Sequence, residues 1–380
     1  MNESLSVVAD KARRGISDGE DGTRRGEEEV EVAASTASTH TERTEFRGVM
    51  SRIAACTDPA KRAIILSGGV DTSAILAAAR ELGITFSCAV TVITGEDSPD
   101  RAFAQAVALE HGLEHHIVRV TSSELIECYL PACVRELATF DGMTLRNSLV
   151  IAAAMRKVRE LGLLHAVVGD GADELFGGYS FMWGSADDPA AWQEKRDKMC
   201  RQWTFATSAL AAAEGLTSHS PFCDPDFVAF ALTTRREDCI GVRPIRLVLK
   251  GPAVEHETGK LILREAFDTL ASWRRKDPIE VGSGITIITH DAFWAEIVGD
   301  AEFETARTEA EQRGFRLTSK EHLVNFRAFE VSFGSSSNAT NGWALPAKVR
   351  LALGQGCVGC CFEIGEATFC NVCGAYPAQR

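Results

Sequence analysis

A glycine-rich turn with several hydroxyl side chains is the first stretch of the chain that could carry chemistry. It follows the apolar run 63–66 and precedes a helix-like stretch, so it predicts a turn that opens a helix at the end of a strand. Two glycines let the backbone point its N–H groups inward, and the hydroxyls and the helix start favour an anion. We therefore expect this turn to bind a polyphosphate. Its residues are Ser67, Gly68, Gly69, Val70, Asp71, Thr72 and Ser73.

The carboxylate of Asp71 in this turn points to a metal ion. A carboxylate repels phosphate unless a cation lies between the two, and Mg²⁺ commonly fills that place beside nucleotides. The Walker loop, by contrast, has a lysine before Ser or Thr and a longer gap between its glycines. The sequence therefore predicts a nucleotide site of a different type that uses Mg²⁺.

A second turn, GDGADELFGGY at residues 169–179, follows the short apolar run 166–168. It contains three carboxylates, on Asp170, Asp173 and Glu174. Carboxylates at this density repel one another and raise each other's pKa, so a plain surface loop gains little from them. A metal site is the better interpretation of this turn.

The two turns resemble the motifs of the asparagine synthetase family. The first is similar to the pyrophosphate-binding loop of enzymes that cleave ATP between its α and β phosphates, and the second to the signature of the synthetase domain. The resemblance covers roughly residues 46–284. Further segments that follow the order of the family are 96–100, 141–146, 214–216, 221–224, 260–264 and 273–277.

The resemblance implies an ATP-dependent amide ligase. In this family ATP converts a side-chain carboxylate into an acyl-adenylate with release of pyrophosphate, and an amine then displaces AMP. The expected substrates are a small carboxylate, such as aspartate or an analogue, and an amine donor.

The resemblance also assigns residues to this scheme. Asp71 and Asp173 would hold Mg²⁺, Lys276 would lie near the α-phosphate, and Asp170 would act on the acyl intermediate. We did not assign a catalytic role to Asp141, Arg146, Lys260 or Arg264, which could equally form ion pairs that stabilise the fold. The residues expected to contact the nucleotide, besides the first turn, are Leu66, Ile93, Val168 and Gly169.

Two departures from the family bear on the substrates. Family members usually begin with a glutaminase domain whose nucleophile is an N-terminal cysteine, whereas this chain begins Met1-Asn2. We therefore expect the amine to be ammonia from solution or from a separate glutaminase subunit, or another amine. Thr217 and His219 stand where the family has Glu and Arg, and loss of the arginine fork weakens the grip on a free amino acid.

Four cysteines close to the end of the sequence have the spacing of a metal site. Cys357-x-x-Cys360 and Cys370-x-x-Cys373 predict a tetrahedral, structural Zn²⁺ site, with disulfides or an iron–sulfur cluster as alternatives. Asparagine synthetases do not usually carry this module, which resembles parts of tRNA-thiolating enzymes. An RNA-modifying enzyme of that type, or a nucleotide-binding scaffold, is therefore the alternative to an amide ligase.

The elements that must position these turns follow from the alternation of apolar runs with helical patterns. Strands are expected at 63–66, 86–93, 116–120 and 166–168, with helices between them. This alternation predicts a doubly wound parallel sheet with flanking helices, and the resemblance implies the adenine nucleotide alpha hydrolase-like form of that fold. In the order 3-2-1-4, the loops after strands 1 and 4 lie side by side and bring Asp71 and Asp173 into one cleft. Residues 189–230 and 291–333 are expected to be mostly helical.

Composition sets the remaining expectations. The chain has 380 residues and a net charge of −13, which weighs against nucleic acid as a partner. No apolar stretch approaches the roughly 20 residues needed to cross a bilayer, so we expect no membrane partner and a cytoplasmic protein. The expected units are a disordered tail (1–45), the ATP-pyrophosphatase domain (46–333), a linker (334–350) and the cysteine module (351–380).

Overall fold

The computed structural model describes residues 39–184, 188–334, 343–352 and 354–379. Most of the expected tail, residues 1–38, and residues 335–342 of the expected linker lie outside the described residues. Within the described part, no helix is both long and apolar enough to span a membrane.

Five parallel strands form the central sheet, in the order β3-β2-β1-β4-β5. The predicted doubly wound sheet with strands in the order 3-2-1-4 is confirmed. In the register, Ala63 of β1 lies opposite Cys88 of β2 on one side and Ala166 of β4 on the other. The strands are β1 (Arg62–Ile65), β2 (Cys88–Ile93), β3 (His115–Arg119), β4 (His165–Val167) and β5 (Thr217–His219).

Residues 189–230 are mostly helical, as predicted, but they also contain the fifth strand, which was not predicted. Thr217–His219 pairs with His165–Val167 and extends the sheet by one edge strand. Its three residues, Thr-Ser-His, lack the apolar alternation that marks a strand, so only the pairing with β4 identifies it.

Helices cover both faces of the sheet. Residues 39–56 form α1. The others are α2 (Val70–Glu81), α3 (Pro99–Glu110), α4 (Ser122–Leu137), α5 (Gly142–Glu160), α6 (Ala172–Leu175), α7 (Pro189–Gln202), α8 (Ala206–Ala213), α9 (Pro225–Ala231), α10 (Arg236–Cys239), α11 (Leu261–Ala266), α12 (Ile279–Gly282), α13 (Asp291–Ala295), α14 (Asp300–Gln312) and α15 (Lys320–Phe333).

The first helix corrects the boundary of the predicted tail. Residues 39–45, assigned to the tail, already belong to α1, which continues to residue 56. Phe46 is fully buried, and its ring lies 4.9 Å from that of Phe222 and 5.2 Å from that of Phe227. This apolar anchor makes α1 part of the domain.

An antiparallel hairpin, β6 (Gly241–Arg246) and β7 (Ala253–Thr258), stands apart from the main sheet. The sequence patterns predict no strands in this segment. The backbone of Arg246 bonds to the segment 273–275: its N–H donates to the Trp273 carbonyl at 2.7 Å and its carbonyl accepts from the Arg275 N–H at 2.9 Å. The hairpin therefore supports the chain just before Lys276.

The cysteine module packs directly on the body of the protein. Its Phe362 is buried, with its ring 5.9 Å from that of Phe315 and 6.0 Å from that of Phe329. The four cysteines belong to the same apolar core as α4, α5 and α15. The module therefore shares a core with the domain.

Replacing Phe46 with alanine tests whether α1 contributes to the fold. Phe46→Ala removes a buried ring and leaves a cavity, so the free energy of unfolding should fall by about 3–5 kcal/mol, as measured by urea denaturation. Leu109, which is 82% exposed, provides the control, since Leu109→Ala should change the free energy by less than about 0.5 kcal/mol. Equal effects of the two substitutions would show that α1 is not part of the core.

Candidate active site

The glycine-rich turn joins β1 to α2 and has the features of an anion site. Gly68 has a φ of +67°, and a Cβ added there would lie 2.4 Å from the backbone nitrogen of Ala104, so only glycine fits. No side chain caps the start of α2 at Gly69. The buried hydroxyl oxygens of Thr72 and Ser73 have no hydrogen-bond partner among the described residues. The turn therefore retains polar groups that a phosphate could use.

The structure brings the two predicted turns together at one edge of the sheet. Strands β1 and β4 pair in parallel, so the loops that follow them emerge side by side. The contact is close, because a Cβ added to Gly169 would lie 2.8 Å from the Cβ of Asp71. Asp71 and Asp173, which are separated by about a hundred residues in sequence, thus face a common cleft.

Two lysines neutralise these carboxylates. The ammonium of Lys260 lies 2.7 Å from both carboxylate oxygens of Asp71 and 2.8 Å from Oδ1 of Asp173. The ammonium of Lys276 lies 2.8 Å from Oδ2 of Asp173. The position predicted for Mg²⁺, between the two carboxylates, is taken in this structure by the Lys260 ammonium.

The pKa values of Asp173 and Lys276 reflect these contacts. Burial opposes ionisation of Asp173, but the ammonium groups of Lys260 and Lys276 hold the pKa of this carboxyl well below its usual range. Burial likewise disfavours the charged form of Lys276, but the carboxylates of Asp173 and Asp71 outweigh it and raise the pKa of Lys276. The groups are therefore ionised at neutral pH.

Lys260 has a fixed backbone position directly after β7. Its φ is +62°, and its N–H donates to the Phe176 carbonyl at 2.8 Å, within the second turn. The buried guanidinium of Arg264 donates to the carbonyls of Gly259 at 2.9 Å and Arg274 at 3.0 Å, and burial lowers its pKa to about 10. Arg264 thereby links the backbone that precedes Lys260 to the backbone that precedes Lys276.

Arg274 connects this backbone to the glycine-rich turn. Its side chain is almost fully buried and donates to the Ser67 carbonyl at 2.8 Å and to Oδ1 of Asp100 at 2.5 Å. The guanidinium also lies over the Phe103 ring, 4.5 Å from its centroid. Arg274 therefore fixes the segment that carries Lys276 against the turn that carries Asp71.

Asp170 and Glu174 complete the acidic turn. Burial raises the pKa of Asp170 to about 6, with a hydrogen bond to Thr207 opposing the shift and Asp71 and Asp173 adding to it. The buried carboxylate of Glu174 accepts a hydrogen bond from the hydroxyl of Tyr179 at 2.7 Å. Asp170 thus lies beside the charged pair without a direct ammonium partner of its own among the described residues.

The residues predicted to contact the nucleotide lie along the same edge. Leu66, Ile93 and Val168 are at the carboxyl ends of β1, β2 and β4, and all three are buried. Such an edge is where doubly wound sheets bind ligands. Their contact with a nucleotide stays a prediction, as do the contacts of Ser67 and Gly169.

Two of the residues to which we assigned no catalytic role stabilise the fold. Asp141 caps α5, since its carboxylate accepts hydrogen bonds from the backbone N–H groups of Met143 and Thr144. Arg146 forms an ion pair with Glu321 at 2.9 Å, which ties α5 to α15.

The four cysteines of the C-terminal module converge on one point. Their sulfurs all lie within 4.8 Å of one another, and the closest pairs are 3.5 Å and 3.6 Å apart. All four thiols are free, and the Gly359 N–H donates to the sulfur of Cys357 at 3.2 Å. Sulfurs around one tetrahedral ion with bonds of about 2.3 Å lie about 3.8 Å apart, so these residues fit a single metal ion.

These observations define a doubly wound α/β domain with a charged candidate active site at its switch point. Residues 56–204 match the family model described as asparagine synthase. Asparagine synthetase B of Escherichia coli is 27% identical over 308 residues, which cover 73% of this chain and 51% of the relative. A probable asparagine synthetase of Dictyostelium discoideum is 28% identical over a match that covers 63% of this chain and 43% of the relative. The chain thus spans about half the length of these curated relatives.

Solved structures show only a distant likeness. The U34-tRNA thiolase NcsA from Methanococcus maripaludis is 15% identical, with a TM-score of 0.28, over 52% of this chain and 63% of that one. The NMN synthetase from Francisella tularensis is 12% identical, with a TM-score of 0.26, over 52% of this chain and 92% of that one. Such values support no inference about activity.

The raised pKa of Asp170 predicts a pH dependence of stability. The folded state holds the Asp170 proton up to about pH 6, whereas the unfolded chain loses it near pH 4. The contribution of Asp170 to the free energy of unfolding is therefore fully present below about pH 4 and is lost as the pH rises through about 6. Asp170→Asn should remove this loss, because asparagine has no proton to release. The free energy of unfolding of the variant, relative to that of the wild type, should therefore rise by on the order of 2 kcal/mol as the pH increases from 4.5 to 7.

Urea denaturation at several pH values measures this difference. Lys198→Met, at an exposed position on α7, serves as the control and should follow the wild type across the range. A constant difference between Asp170→Asn and the wild type from pH 4.5 to 7 would contradict the prediction.

Proposed function

We propose that this protein is an ATP-dependent amide ligase that forms AMP and pyrophosphate. It would convert a carboxylate into an acyl-adenylate and pass the acyl group to ammonia or another amine. The observation that carries the proposal is the convergence of Asp71, Asp173 and Lys276 at the edge of the sheet, within a domain that matches the asparagine synthase family.

The residues of the site suit this reaction. The backbone and hydroxyls of the glycine-rich turn would hold the β and γ phosphates, because the start of α2 has no side-chain cap and two hydroxyls are unpartnered among the described residues. Asp71 and Asp173 offer the carboxylate oxygens that Mg²⁺ prefers. Bound Mg²⁺ would neutralise the leaving pyrophosphate.

Lys276 and Asp170 would act at the reacting end of the nucleotide. The Lys276 side chain is partly exposed and has one ion-pair partner among the described residues, Asp173, so its ammonium can turn towards the α-phosphate. Asp170, with a pKa of about 6, would be ionised at neutral pH and able to accept a proton from the attacking amine.

The acyl substrate is expected to differ from a free amino acid. His219 stands where the family has an arginine, and burial lowers its pKa, with His165 adding to the effect. Its ring nitrogen Nε2 lies 3.3 Å from Nδ1 of His165. A neutral, engaged imidazole cannot grip an α-carboxylate as a guanidinium does, which supports a carboxylate substrate recognised by other groups.

A pyrophosphate-release assay tests the proposed ligase. Incubation with ATP, Mg²⁺ and a panel of carboxylates and amines, with aspartate and ammonium included, should release pyrophosphate and AMP in equal amounts. Lys276→Met should lower kcat by about 10²–10³-fold, because it removes a charge that stabilises the transition state. Asp71→Asn should abolish release, whereas Lys198→Met should retain full activity.

The same assay separates the alternatives. Release of orthophosphate and ADP would refute cleavage between the α and β phosphates. Release of pyrophosphate that depends on added tRNA would replace the amide ligase with an RNA-modifying enzyme. Activity that survives Asp71→Asn would show that the site lies elsewhere.

We further propose that the cysteine module holds a structural Zn²⁺ ion. The four buried sulfurs are spaced for one tetrahedral ion rather than for the larger iron–sulfur cluster. Because these cysteines lie within the core that also includes Phe140 and Phe326, the ion would stabilise the whole domain.

Metal analysis and denaturation test this site together. The purified protein should contain about one zinc per chain, and Cys360→Ser should lose the metal and lower the free energy of unfolding by about 4 kcal/mol or more. Cys361→Ser is the matched control, since this neighbouring thiol is exposed and outside the cluster. Iron with labile sulfide, or a metal-free protein of unchanged stability, would contradict the proposal.

A further inference from the structure

Lys260 occupies the position where a divalent ion would be expected to bind. Its ammonium contacts both oxygens of Asp71 and Oδ1 of Asp173, at 2.7–2.8 Å. Lys276 contacts the remaining oxygen of Asp173. All four carboxylate oxygens therefore face an ammonium group, and the two negative charges are matched by two positive ones.

The Lys260 side chain has little freedom to leave this position. It is only 1% exposed, and its backbone is held in the left-handed region by the bond to Phe176. Gly178 leaves room for the ion pair: a Cβ there would lie 2.5 Å from the Cε of Lys260 and within the Asp173 carboxylate. The space that the Lys260–Asp173 pair needs thus explains the glycine at position 178.

This arrangement has a consequence for metal binding. A divalent ion that arrives alone adds two positive charges beside two carboxylates that two ammonium groups already neutralise, and it must compete with Lys260 for the same oxygens. A nucleotide brings several negative charges of its own, which offset the charge of the ion, and the partly exposed Lys276 ammonium can turn towards them. The cluster therefore favours a metal ion that arrives together with a polyphosphate.

We infer that Lys260 is a positioning residue that makes divalent metal binding depend on the nucleotide. It holds Asp71 and Asp173 together without metal and prevents an ion from occupying the site before the nucleotide binds. The identity of the nucleotide rests on the proposed function, whereas the exclusion of metal from the nucleotide-free protein does not.

Binding of Mn²⁺ to the full chain, measured by ultrafiltration as the ion retained with the protein, tests the inference. The wild type should bind Mn²⁺ alone at least about tenfold more weakly than it binds Mn²⁺ in the presence of α,β-methylene-ATP. Lys260→Met keeps the length of the buried stem and removes the charge, so it should bind Mn²⁺ alone about tenfold or more tightly than the wild type, within the range of coupled sites. Lys250→Met, at an exposed position in the hairpin loop, should match the wild type.

If Lys260 had a purely structural role, Lys260→Met would lose affinity for Mn²⁺. A gain in affinity for Mn²⁺ would therefore distinguish the inferred role from a structural one. Equal affinity of Lys260→Met and the wild type for Mn²⁺ alone would overturn the inference. If Lys260→Met does not fold, the wild type decides: equal affinity for Mn²⁺ with and without an analogue that itself binds the protein would also overturn the inference. If the analogue changes nothing because it does not bind, the proposed function fails, while the comparison with Mn²⁺ alone still tests Lys260.

Discussion

The structure depends on the compensation of two carboxylates that the sheet places in one cleft. Parallel pairing of β1 with β4 fixes the distance between the loops that carry Asp71 and Asp173. Left alone, two partly buried carboxylates at this separation would repel each other and take up a proton. The ammonium groups of Lys260 and Lys276 remove that cost, and both must therefore be delivered to the cleft with an accuracy of a fraction of an ångström.

The hairpin and two buried arginines supply that accuracy. Lys260 follows β7 directly, and Lys276 follows a segment that is hydrogen-bonded to β6. Arg264 donates to backbone carbonyls near both lysines, and Arg274 ties the second of these segments to the glycine-rich turn. Each arginine satisfies carbonyl groups in irregular backbone that no sheet or helix could pair. A small antiparallel hairpin, absent from the sequence-based expectation, thus positions the charges of the site.

The sequence predicted what local patterns encode and missed what only the fold brings together. The strand order and the meeting of Asp71 with Asp173 followed from apolar runs that end in glycine turns. No local sequence pattern marks Lys260 as a partner of Asp71, because the two residues are 189 positions apart in sequence. The hairpin was missed because Pro244 interrupts β6 and its residues are mostly exposed and polar, so neither face shows apolar alternation.

The cysteine module is connected to the domain by more than its position in sequence. The carbonyl of Val372, next to Cys373, accepts hydrogen bonds from the backbone of Phe140 at 2.7 Å and from the hydroxyl of Thr139 at 3.1 Å. Gly374 lies so close to Asp141 that a Cβ there would fall 2.2 Å from its Oδ1. These contacts hold the residues that start α5, which runs to Glu160 and leads into β4.

Because β4 ends at the acidic turn, the module supports the same strand that places Asp173. The apolar side chains that surround the sulfurs, from Phe140 to Phe362, also cover one face of the sheet through α5. A metal ion bound by the cysteines would therefore stabilise α5 and β4 as well as its own loops. This continuity gives a physical reason for a cysteine module on this α/β domain that does not require the module to bind a partner.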